Sequence, residues 1–211
     1  MSARTVAGVR IPDSAVARDA ETLVADTSPR FLLEHSRRCH VFAALLASAT
    51  GIAHDEELLY LCTILHDLGL TDRFATGERL EVAGARAAEG FAREHGLPEH
   101  QTTRLWDAVA LHASVGIAEA KGGEVALTHF GIGADLMGAR LELLPAGALE
   151  EILVAFPRLN FKQAILDLFL VHAAKDPTVY VMTGLSDCVR AHLAPSLPTF
   201  DDLLFGAPFD E

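Results

Sequence analysis

The stretch LCTILHDLGL, Leu61 to Leu70, sets a histidine and an aspartate side by side at the end of an otherwise apolar run. Burying one ionisable group costs free energy, and burying two neighbours costs more unless both find partners. His66-Asp67 therefore marks a place where partners must arrive from elsewhere in the chain. Before it, Leu58, Leu61, Cys62 and Leu65 recur at three- and four-residue steps, the period of a helix with a buried face. That helix is expected to begin near Asp55 and to end at His66-Asp67, with Gly69 as its C-terminal cap.

The same period continues on both sides. Ser28-Pro29 reads as a helix start, a capping serine followed by proline in the first turn. Phe31, His35, Cys39, Phe42 and Leu46 carry that helix to Gly51. Further helices are expected over Ser14–Ala25, Arg79–His95, Pro98–His112, Glu124–Ala139, Gly147–Phe156, Asn160–Ala174 and Thr178–His192. TDRFATGE and SVGIAEAKGG read as loops. Gly131, Gly133 and Gly138 weaken the Glu124 helix and are expected where a neighbour packs closely. The Pro-rich tail APSLPTFDDLLFGAPFDE is expected to dock its apolar residues on the body. No run of alternating strands, internal repeat or low-complexity segment interrupts this pattern. The expected fold is all-α, one domain over residues 1–211 with a core at 28–140 and C-terminal helices at 147–192 packed on it.

The formal net charge of −12 repels phosphate backbones, and the densest basic cluster is only Arg37-Arg38, so no nucleic-acid partner is expected. The longest run free of Asp, Glu, Lys and Arg is the sixteen residues Cys39 to His54, too short and too punctuated for a membrane span. The opening MSARTVAGVRIPDS lacks the apolar core of a signal peptide. Cys39, Cys62 and Cys188 are far apart and sit in apolar helical contexts, which fits buried free thiols in a reducing cytoplasm. Alanine-rich helices offer a face for a homo-oligomer.

All-α proteins build metal sites by pointing side chains inward from several helices. His35 lies on the apolar stripe of its helix, His66 and Asp67 end the next, and Asp135 sits in the apolar, glycine-rich HFGIGADLMGA. Two imidazoles and two carboxylates suit Zn²⁺, Fe²⁺, Mn²⁺ or Co²⁺, and two carboxylates offset a divalent charge. Taken singly, each residue has a plainer reading as a satisfied core histidine or a solvated aspartate. His40 competes with His35 but lies about 140° around the helix, so position favours His35 as the inward residue.

EHSRR, LCTILHDLGL and GADLMG, in that order, resemble the H…HD…D signature of the HD-domain superfamily of metal-dependent hydrolases. LEHSRRCHVFAALLA, HDLGLTDRF, LEVAGARAA, VALHASVGIA and GIGADLMG further resemble its cyanamide hydratase-like branch, over roughly Phe31 to Ala139. The resemblance implies His35, His66, Asp67 and Asp135 as metal ligands. Two-metal members carry extra histidines between the HD pair and the last aspartate. Here the first such position, four residues before Gly84-Ala85, holds Leu80, which implies a mononuclear site; the second matches His112, free to serve the pocket.

A divalent metal, Zn²⁺ first among the candidates, can lower the pKa of water towards neutrality. Asp67 is the expected proton acceptor, and His112 the residue that orients the substrate or supplies a proton; the alternative for His112 is a structural helix-end histidine. Arg73 and Lys121 are either anion-binding or solvated. His129 faces either pocket or solvent. The expected activity is hydration or hydrolysis of a small substrate such as cyanamide, implied by the resemblance. The alternatives are an HD-type phosphohydrolase of nucleotides or other phosphomonoesters, and a non-catalytic HD scaffold.

Overall fold

The computed structural model describes residues 4–175, 195–196 and 198–210. Among these, the chain is helical apart from one small hairpin, β1 (Thr5–Val6) and β2 (Val9–Arg10). Sequence periodicity did not find the hairpin, because two-residue strands carry no alternation. Its turn is set by Ala7 and Gly8, both at positive φ (49° and 79°), the arrangement of a tight two-residue hairpin loop. The helices are α1 (Ala15–Thr27), α2 (Arg30–Thr50), α3 (Glu56–Leu65), α4 (Leu80–Glu94), α5 (Glu99–Leu111), α6 (Ile117–Lys121), α7 (Gly123–Met137), α8 (Ala148–Ala155), α9 (Phe161–Ala173) and α10 (Phe200–Phe205). The expected helix over Thr178–His192 lies outside the described residues. No helix among the described residues is long and apolar enough to cross a membrane.

Several helix ends follow their sequence signals. Ser14 and Asp55 accept backbone N–H bonds as N-caps of α1 and α3, and Gly51 and Gly138 close α2 and α7 in the left-handed conformation. Three expectations need correction. Ser28 ends α1 and does not cap α2; its Oγ is buried without a partner among the described residues, and Pro29 opens α2 through its fixed φ alone. The SVGIAEAKGG segment contains the short helix α6, entered through the positive φ of Gly116. Gly69 is no helix cap: it lies in the 3-10 turn Leu68–Leu70, where a Cβ would stand 1.9 Å from the Leu80 carbonyl oxygen. Only glycine lets that turn press against the start of α4.

α2 is the central element, with side chains buried nearly all round. One apolar cluster joins α1, α3, α4 and α5 through Val24, Tyr60, Leu65, Ala88 and Leu105. A second joins α2, α7 and α8 through Phe42, Leu46, Leu127, Ile152 and Phe156. A third, smaller one seats α9 and α10 against Leu32 and Leu70 through Phe161, Ile165 and Leu204. The tail is docked as expected at Leu204, Ala207 and Phe209, while Leu203 and Phe205 remain exposed. α2 and α7 meet at Gly131, where a Cβ would come within 2.3 Å of the Cys39 carbonyl oxygen and 2.9 Å of Ala43 Cβ. The two helices run antiparallel there: one turn beyond Gly131 is Asp135, and one turn before Cys39 is His35.

Candidate metal centre

The end of α3 presents the HD pair. His66 closes the helix, and Asp67 follows with φ −100° and ψ 13° before the chain turns through Leu68–Leu70. His66 Nδ1 donates to the Thr63 carbonyl at 2.7 Å, which leaves Nε2 pointing inward, 3.1 Å from Asp67 Oδ2. From α2, His35 Nδ1 meets Asp135 Oδ2 at 2.6 Å, and its Nε2 stands 3.7 Å from Asp67 Oδ2. His112, at the end of α5, donates Nδ1 to the Val109 carbonyl at 2.7 Å, with its ring 5.2 Å from that of His66. In all three histidines a partner fixes Nδ1 as the donor and leaves Nε2 as the available base or ligand. The structure thus brings together His35, His66, Asp67, Asp135 and His112 from four separate elements.

Asp135 is fully enclosed, and four donors converge on it. Oδ1 accepts from Arg38 Nε at 2.6 Å and Arg158 Nη1 at 3.1 Å; Oδ2 accepts from Arg38 Nη2 at 2.8 Å and from His35 Nδ1. Arg38 is itself fully buried and also donates to the Phe156 and Pro157 carbonyls. The Phe161 ring stacks on His35 at 4.5 Å and lies under both guanidinium groups, at 5.3 Å from Arg38 and 4.9 Å from Arg158. Sequence reasoning missed Arg38, Arg158 and Phe161. Only Arg38 carried a signal, standing one helical turn after His35 and so sharing its face.

Charge follows this geometry. Burial raises the Asp67 and Asp135 carboxyls, but neighbouring groups more than reverse it by charge and hydrogen bonding: His66 and then His35 beside Asp67, Arg38 and then His35 beside Asp135. Both are held well below the usual carboxylate range and stay ionised. Burial lowers His35 against the pull of Asp135. His66 is lowered by burial but lifted above its ordinary value by Asp67. Burial and then His66 lower His112. Burial pushes the Cys39 thiol well up. Cys39 and Cys62 are buried free thiols as expected, though Cys39 Sγ stands 3.5 Å from His35 Nδ1 beside the charged site rather than in an apolar setting, and Cys188 lies outside the described residues.

These groups sit at one end of a cavity of about 500 Å³. His35, His66, Asp67 and His112 line it; Asp135 lies behind His35 and does not. Leu80 lines the wall, as does Glu81, which sequence reasoning passed over. His129 also faces the cavity, with Nδ1 donating to the His112 carbonyl at 2.7 Å. The other candidates are elsewhere. His40 is as buried as His35, contrary to the simple two-face picture, because α2 is enclosed on all sides; it packs edge-on against Tyr60 and does not reach the cavity. Arg73 is exposed over the Phe74 ring, and Lys121 pairs with Asp107 at 2.6 Å.

Two buried histidines beside the ionised Asp67 at the base of a cavity in a helical bundle make a donor set suited to a metal ion. His35, Cys39 and His66 each offer a donor atom within 4.8 Å of the others, and this buried group can hold a metal ion. The HD-domain family model matches residues 32–147, more than half of the chain, and the chain belongs to that family. HD domains are generally metal-dependent hydrolases. No curated protein matches the sequence.

Proposed function

We propose that the protein adds water to a small uncharged substrate, cyanamide being the first to test, with one divalent ion held by His35, His66 and Asp67, and with Asp135, whose oxygens are taken up by Arg38, Arg158 and His35, holding His35 from behind. The donor set fits a borderline ion such as Zn²⁺, with Fe²⁺, Mn²⁺ and Co²⁺ as further candidates. Such an ion supplies a Lewis acid that lowers the pKa of bound water towards neutrality.

The protein's own residues supply the rest. Asp135 holds His35 through Nδ1, and Arg38 and Arg158 hold Asp135. Asp67, ionised and at the cavity edge, accepts a proton from the attacking water. His112, its Nδ1 fixed on Val109, keeps Nε2 free to exchange a proton with the substrate nitrogen. Water oxygen bonds to the nitrile-like carbon and the protons end on nitrogen, giving a urea.

One observation carries this reading: His35, His66, Asp67 and His112 share a cavity that, among the described residues, no lysine or arginine lines. A phosphohydrolase of nucleotides would want cations there. Urea release from cyanamide, measured beside phosphate release from a nucleotide panel, separates the two. Phosphate release without cyanamide turnover would transfer the assignment to the phosphohydrolase.

A further inference from the structure

The cavity is much larger than cyanamide. A water takes about 30 Å³ of liquid, so three heavy atoms need on the order of 100 Å³, against the roughly 500 Å³ present. Away from the histidines, Asp67 and Glu81, the described residues that line this space are apolar. Among the described residues, the wall beyond the histidines, Asp67 and Glu81 is made mostly by Leu80, Ile132, Leu136, Met137, Ile165 and Phe169, with the exposed Val115 and Phe200 also lining it. Arg79, beside the wall residue Leu80, is already paired with Glu81 at 2.6 Å. Glu81 itself lines the cavity, which disfavours an anionic ligand further.

From this we infer that the physiological substrate is an uncharged molecule of roughly ten heavy atoms, the size class such a cavity takes. It has a compact nitrile-like or amide-like head at His66 and His112 and an aromatic or branched aliphatic arm against Leu136, Met137, Ile165 and Phe169. The inference rests on the hydration reading for the head group; the arm rests on the cavity alone. For a substituted cyanamide the step balances without a further reactant. The water oxygen bonds to the nitrile carbon as one C–N π bond breaks and one proton reaches the nitrogen; the remaining O–H proton then moves to the same nitrogen as the C=O π bond forms and the second C–N π bond breaks, giving the substituted urea.

Benzylcyanamide against cyanamide tests turnover, and calorimetry of benzylurea against urea, on the metal-free protein, tests the arm without chemistry. A buried phenyl group is worth enough to favour benzylcyanamide about tenfold to a hundredfold in kcat/KM. Met137→Trp, which fills the arm space, is expected to cut that ratio at least tenfold and to weaken benzylurea binding equally. If neither cyanamide is turned over but benzylurea still binds more tightly than urea and loses that advantage in Met137→Trp, the arm site stands and the hydration reading falls. Equal binding of urea and benzylurea, or a kcat/KM for cyanamide that matches or exceeds that for benzylcyanamide, would overturn the inference.

Discussion

His35 Nδ1 and Asp135 Oδ2 lie 2.6 Å apart across 100 residues of sequence, and that contact orders the rest of the site. It fixes which imidazole nitrogen is available, and it ties α2 to α7 at the level of the HD pair. Arg38 and Arg158 take the remaining acceptor positions of the same carboxylate, so the contact belongs to a buried four-residue network.

Asp135→Asn is therefore expected to do two things. It leaves two buried guanidinium groups without their anion, which should cost about 3–5 kcal/mol in unfolding free energy. It also frees the His35 ring and weakens metal affinity by about tenfold to a hundredfold or more. Denaturant unfolding and metal titration read the two effects. Arg38→Met combined with Asp135→Asn should be less destabilised than the sum of the single variants, because the network is lost as a unit.

His112→Ala should leave the metal in place while lowering kcat by about a hundredfold or more, as expected for loss of a positioned proton donor or acceptor. Metal content and turnover measured on the same sample separate this from a ligand. Loss of the metal in that variant would make His112 a ligand instead.

Gly131→Ala probes how the fold holds the site. The added methyl meets the Cys39 carbonyl oxygen and Ala43, both on α2, so the helices must part. Overpacking of this kind costs about 1–3 kcal/mol, and the shift should also loosen His35 from Asp135. The melting temperature should fall, and metal affinity with it.

His40 gives a pH dependence independent of the metal. Burial, and then the nearby His54, lower its pKa from 6.5 to about 3, and neither ring nitrogen has a protein partner among the described residues. Arg10, Glu56 and His54 share the small cavity beside it, and Tyr60 packs on its ring. Between pH 6.5 and 3 the unfolded chain binds this proton and the folded one does not. Stability from this group is complete above about pH 6.5 and falls as pH drops, by up to roughly 1.4 kcal/mol per unit. In His40→Phe that part of the acid limb should flatten, read from unfolding midpoints between pH 4 and 7 (the range chosen for about half of this titration).

Much of this was legible because helix period and end signals are local. Asp55, Gly51 and Gly138 act at the ends where their chemistry puts them, and the burial argument for His66-Asp67 singled out residues that the fold brings to one cavity. What stayed hidden depends on contacts between distant segments. Gly69 has the chemistry of a cap, and only the approach of Leu80 shows its other use. Arg158 belongs to the site through its reach to Asp135 across 23 residues, which no spacing rule encodes. His40 and His35 could not be separated by helix face, since α2 has no solvent-facing side along most of its length.

The decisive measurement is metal content per chain, by elemental analysis after equilibration with Zn²⁺ or Mn²⁺ and removal of excess, for the unaltered protein and for His66→Ala and Asp67→Ala. One ion per chain in the unaltered protein, and close to none in either variant with activity lost in parallel, is the expected result. Two ions per chain, or a metal content and turnover unchanged by either substitution, would contradict a mononuclear centre built on the HD pair.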